Sequence, residues 1–201
     1  SGQVGRLRFS SGQDLILSGG TKIENGARGQ EAAGNRWHYD LFAQQHIEVR
    51  GATISTGAGG SITMEAGLSP TLFGDIRLTQ LNANLTGQPM VETFDGGDIT
   101  ITTDRDLIAP SGLISSTVTG IRLNQLGNLT MNIGRNFLGG LVGNSSVGPG
   151  FLLGNGNATV NVGTNVGLGA GQHPTGGHVG WDGTANAPLY GNSTVGGGRI
   201  N

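Results

Sequence analysis

Cysteine is absent from all 201 residues. That excludes a disulfide framework, a thiolate metal ligand and a cysteine nucleophile; it also fits a secreted bacterial protein. Charge is scarce: Asp, Glu, Lys and Arg make up 12% of the chain and sum to −2. Eleven cations against thirteen anions make no basic footprint, so no nucleic-acid partner is expected. No apolar run approaches the length of a transmembrane helix, so no membrane-spanning segment is expected either. The first residues, SGQVGRLRF, lack a signal-peptide pattern. They read as though they begin inside a structure, and the expectation is an excised or processed piece. No phosphate-binding loop and no serine nucleophile motif is visible, and LVGNSSVG reads as a polar loop.

Glycine, in contrast, supplies 40 residues, well above the usual share of about 7%. It does not recur every third residue, so the chain is not a collagen. Disordered chains are charged and poor in β-branched residues, whereas this one carries regular Ile, Leu and Val. Glycine at many tight corners accounts for the number better.

The stretch GDITITTDRDLIAPSGLIS, residues 97–115, shows the arrangement. Three apolar pulses, Asp98–Ile101, Asp106–Ala109 and Gly112–Ser115, are separated by turn residues. The first alternates apolar and polar, as a half-buried strand does. The triplet reads as one winding of a coil with three strands and three corners. The middle pulse recurs from Asp14, His46, Asp75, Asp106, Asn128 and Ala158, with spacings of 32, 29, 31, 22 and 30. First pulses begin at Arg6, Asp40, Ser61, Asp98, Gly120 and Phe151; third pulses begin at Thr21, Ala52, Ala83, Gly112, Asn136 and Asn165. Alternation predicts an interior of Leu7, Phe9, Ile47, Val49, Ile54, Ile62, Met64, Ile76, Leu78, Leu85, Ile99, Ile101, Leu107, Ile121, Leu123, Leu129, Met131, Ile133, Val160 and Val162. Arg8, Glu48, Thr63, Arg77, Thr100, Arg122 and Thr130 then point outward.

The fold expected is all-β: a parallel β-helix, or β-solenoid, of about six three-strand turns with loop insertions. Corners of one or two residues are too short for the crossovers of an ordinary parallel sheet. In a solenoid each strand pairs with its counterpart one winding later, about 4.8 Å away, giving a rod roughly 30 Å long. A sandwich is the alternative. The β-helix module should span residues 1–168, with an inserted loop at about 26–39. Residues 169–201, rich in Gly and His, read as an irregular last turn, a cap or a linker.

The stretches GATISTGAGGSITMEAG, GGDITITTDRDLIAP and LGNLTMNIGRNFLGG resemble the filamentous-haemagglutinin-like repeats of large bacterial exoproteins, including the passengers of two-partner secretion systems. The resemblance covers roughly residues 4–168. It implies a right-handed coil, secretion to the bacterial cell surface, and a stalk or adhesive role. The uneven period, the aromatic segment and the tail depart from the more regular repeats, and no amino-terminal secretion signature is present.

Each chemical motif has two readings. Asp14, Asp75 and Asp106 open middle strands. They could be surface carboxylates of a polysaccharide-active β-helix, or corner residues accepting backbone hydrogen bonds; the corner reading is favoured. His173 and His178, near Asp182, do not make the three or four converging ligands a metal needs. No metal and no cofactor is expected. Trp37, His38, Tyr39, Trp181 and Tyr190 are placed on exposed loops. They could stack on sugars or fill partner pockets, or cover an open end of the coil. Five sequons, at Asn84, Asn128, Asn144, Asn157 and Asn192, match the glycosylation pattern. An ice-binding face would need a flat, regular threonine array.

The functional expectation is a non-enzymatic, stiff segment of a secreted surface exoprotein that displays loops. Its partner would be a host or neighbouring-cell surface glycan or protein. A subunit stacking end to end on further copies of itself is the alternative, and a carbohydrate-active enzyme the second.

Overall fold

The computed structural model describes residues 3–25, 35–79, 90–108, 120–123, 126–139, 141–142, 146–147, 151–153, 156–163, 165–168 and 199–200. The described residues hold strands and no helix, so among them no helix is long and apolar enough to cross a membrane. The chain runs β1 (Val4–Ser11), β2 (Leu15–Ser18), β3 (Lys22–Glu24), then β4 (Arg36–Ala43), β5 (Ile47–Arg50), β6 (Thr53–Thr56). It continues through β7 (Ile62–Ala66), β8 (Ile76–Thr79), β9 (Val91–Thr93), β10 (Ile99–Thr103), β11 (Leu107–Ile108) and β12 (Ile121–Leu123). After these come β13 (Asn128–Ile133), β14 (Asn136–Gly139), β15 (Leu141–Val142), β16 (Ser146–Val147) and β17 (Phe151–Leu153). Last are β18 (Asn157–Val162), β19 (Asn165–Leu168) and β20 (Arg199–Ile200).

These strands form a β-solenoid. The first sheet is ordered β1-β4-β7-β10-β13-β18-β20, the second β19-β14-β11-β8-β5-β2, and the third β17-β12-β9-β6-β3. Every pairing in the three sheets is parallel; β15 and β16 pair antiparallel with each other, outside them. That hairpin falls in the stretch expected to be a polar loop.

Parallel pairing in register puts like residue on like. Leu7, Tyr39, Ile62, Ile99, Leu129 and Ala158 form one inward column of the first sheet. Phe9, Leu41, Met64, Ile101, Met131 and Val160 form the next. The second sheet contributes Leu15, Ile47, Ile76, Leu107 and Phe137, and the third Ile23, Ile54, Val91 and Ile121. From Ile47 to Phe137 the second-sheet column is fully buried. Burying each such side chain contributes about 1.5–3 kcal/mol. Most of the expected interior lies in these columns. Leu85 is outside the described residues, and Leu7, at the end of the coil, is 40% exposed.

Three expectations need correction. Asn128–Met131 and Ala158–Asn161, expected in the middle row, lie in the first sheet as β13 and β18. Segments starting at Gly120 and Phe151, expected to open windings, are the third-sheet strands β12 and β17; those at Asn136 and Asn165 are the second-sheet strands β14 and β19. The third sheet takes Val91–Thr93 and Ile121–Leu123; Ala83–Thr86 and Gly112–Ser115, expected in that row, lie outside the described residues. The third correction is β4. It starts at Arg36, so Trp37, His38 and Tyr39 are in a strand and not in a loop at 26–39. Charged neighbours hid an alternation in which Tyr39, Leu41 and Ala43 face inward.

Glycine is required where corners stack. A Cβ on Gly97 would overlap the carbonyl oxygen of Gly60, one on Gly127 that of Gly97, and one on Gly156 that of Gly127.

Candidate functional site

The corner that leads into the second sheet carries a ladder of polar side chains. An Asp14 carboxylate oxygen accepts from the His46 backbone N–H at 3.0 Å. His46 Nδ1 accepts from the Asp75 N–H at 2.9 Å. Asp75 Oδ1 accepts from the Asp106 N–H at 3.2 Å, and Asp106 Oδ1 from the Asn136 N–H at 3.1 Å. Each rung satisfies a donor that the corner would otherwise leave unpaired. The rungs span 32, 29, 31 and 30 residues, so the apparent spacing of 22 was a change of row. His46 continues the aspartate row, and Asn136 is its next member. The corner reading of Asp14, Asp75 and Asp106 is therefore what the structure shows.

Ion pairs run beside this ladder. Arg77 reaches Glu48 at 3.0 Å and Asp75 at 2.6 Å; Arg50 also pairs with Glu48, and Arg135 with Asp106. Glu48, Asp75 and Asp106 are buried. The hydrogen bond from Arg135 holds the Asp106 carboxyl below the usual range, against the upward push of burial. Burial disfavours the Arg77 cation, but its bonds to Asp75 and Glu48 more than offset that and raise it.

The corner leading into the first sheet repeats the device. His38 Nδ1 lies 2.6 Å from Ser61 Oγ and accepts from the Ser61 N–H at 3.2 Å. Asp98 Oδ1 accepts from the Asn128 N–H at 2.7 Å, and Asn128 Oδ1 accepts from Asn157 Nδ2 at 3.4 Å. The sequons at Asn128 and Asn157 thus sit in this ladder; those at Asn84, Asn144 and Asn192 lie outside the described residues. Burial, then the nearby Arg6 and Arg36, lower the pKa of His38.

The aromatic residues singled out from sequence part company. Trp37 and Tyr39 line a cleft of about 510 Å³ at the β1 end of the coil, with Leu7, Phe9 and Ile23. Lys22, Glu24, Asn25 and Asn35 complete its wall. Trp37 lies over Gly5, where a Cβ would strike its ring. Tyr39 is buried and Trp37 39% exposed. His38 alternates to the outer side with Asp40, which Arg6 pairs at 3.0 Å. Trp181 and Tyr190 lie outside the described residues, as do His173 and His178.

No protein-family model, curated protein or solved structure matches the chain. What the arrangement can do is read from geometry alone. Among the described residues, no three His, Asp or Glu side chains are grouped to hold a metal ion. Asp75 and Asp106 are engaged by corner amides and arginines. On the outer face of the first sheet, Thr63, Thr100, Thr130 and Thr159 stand in one row. The neighbouring row reads Glu65, Thr102, Asn132 and Asn161, so the array is a single file and not the broad lattice ice would need.

Proposed function

We propose that the chain is a structural and adhesive segment of a secreted bacterial surface exoprotein, a rigid β-solenoid stalk without catalytic activity. The observation that carries this reading is the unbroken set of buried columns, paired in parallel along three sheets. Such a body resists bending because every layer is bonded to the next along its length. Parallel connections returning to one sheet are right-handed almost without exception, and a right-handed coil is part of the proposal. Its partner is a cell-surface glycan or protein. The test is a binding screen of the full chain on immobilised glycans and intact cells, alongside rod dimensions from electron microscopy. Saturable cell binding by rod-shaped particles supports the reading; particles that are not rods and bind nothing overturn it. Cleavage of any polysaccharide in the same screen would favour the enzyme reading.

A second reading has its own observation. At the β1 end Leu7 (40% exposed) and Trp37 (39%) line the cleft, and among the described residues β1, β2 and β3 end their sheets. Free strand edges around an open apolar centre are a template for further strands. End-to-end stacking of copies would cover them.

A further inference from the structure

We propose that His38 is an acid-sensitive latch on the seam joining β1, β4 and β7, released when its Nδ1 takes a proton. The proposal rests on which atom does the work. Nδ1 accepts from the Ser61 N–H at 3.2 Å and meets the Ser61 hydroxyl at 2.6 Å. An imidazole nitrogen can accept only while it carries no proton. Protonated, it becomes a donor: the Ser61 hydroxyl oxygen can turn to accept from it, but the Ser61 N–H loses its acceptor, and the backbone bond that His38 takes from the β7 corner is lost.

Two cations lie near the ring, and the carboxylate beside it is already paired. Across the seam, Arg6 on β1 pairs in register with His38. Arg36 precedes it on its own strand and donates to the Ala58 carbonyl at 3.2 Å. The nearby carboxylate, Asp40, is already taken by Arg6 at 3.0 Å. On the β7 side stands neutral Ser61, and the next member of that row, Asp98, is occupied by Asn128. The lowered pKa of His38 agrees with this setting.

The proton is thus taken up when the seam parts. Below the ordinary histidine value of about 6.5, each pH unit multiplies the open population by up to about tenfold. The device loosens the β1 end of the coil at mildly acid pH and leaves the layers from β10 onward closed.

Hydrogen exchange of the full chain, read by mass spectrometry at pH 7.5 and pH 5.0 and corrected for intrinsic rates, tests it. Wild type should lose protection about tenfold or more at residues 36–41 and 61–64, with β13 unchanged. His38→Asn places in the row the residue already present at Asn128; it retains an acceptor that does not titrate, and should lose less than threefold. Equal losses in both proteins, or none in wild type, overturn the proposal. The wild type alone gives a second check: nitrogen chemical shifts at pH 7.5 should show His38 protonated at Nε2. An Nδ1–H tautomer overturns it even if the variant does not fold.

Discussion

At the scale of single residues, the coil depends on groups that make no chemistry of their own. Asp106 is one. It accepts from the Asn136 N–H and side chain and pairs with Arg135. Its folded pKa lies below the unfolded value of about 3.9. The stabilisation is therefore fully present above about pH 4 and disappears as pH falls through the folded value. Asp106→Asn keeps an acceptor oxygen and loses the charge. Denaturant titrations from pH 7 to pH 2 should show the variant less stable by about 1–3 kcal/mol at neutral pH. The two curves should converge in acid; a gap constant with pH would show that the ion pair contributes nothing. Gly97 is another. Its Cβ would meet the Gly60 carbonyl and Thr93, so Gly97→Ala should cost about 1–3 kcal/mol. Gly12 has open space around it, and Gly12→Ala, measured in the same way, should be neutral or slightly stabilising.

At the scale of strands, stability comes from position in a column more than from any one pairing. Ile99 sits between Ile62 and Leu129 and is fully buried. Ile99→Ala should cost about 2–5 kcal/mol, seen as a lower denaturant midpoint. A loss below 1 kcal/mol would mean the column repacks freely. This scale also shows what sequence made legible. Period-2 alternation marked Ile62, Met64, Ile99 and Ile101 as inward, because Ile and Met leave little choice of face. It could not assign rows, because alternation marks a strand and its inward face but carries no label for which of three sheets the strand joins. Phe137 and Val91 were missed for that reason, and Tyr39 and Leu41 because their strand reads as a charged segment. The ladder was half visible: aspartate at a corner is a known backbone acceptor, but histidine in the same role has no local signature. Spacing put His46 in the row of Asp75 and Asp106; only the structure shows that its ring nitrogen accepts as they do and that Asn136 is the next member.

At the scale of the molecule, the two sides of each strand divide the work. The interior is apolar and continuous, while the outer faces carry ion pairs on the second sheet and a file of threonines on the first. Among the described residues, β1, β2 and β3 are the last strands of the three sheets at one end. Beside them is the cleft lined from β1, β3 and β4, where Leu7 is 40% exposed. If copies stack there, Leu7 must face an apolar column of the next copy. A charge at that position should then block association while leaving the fold intact, since an exposed lysine can reach water along its flexible stem. Leu7→Lys is expected to abolish concentration-dependent growth in light scattering, with a thermal midpoint within about 2–4 °C of the parent. Ile99→Ala, placed inside the coil, should lower the midpoint without abolishing assembly below it. Undiminished growth by the Leu7 variant would assign assembly to another surface. A parent that stays monomeric at every concentration would remove end-to-end stacking altogether and leave the stalk reading to stand on cell binding.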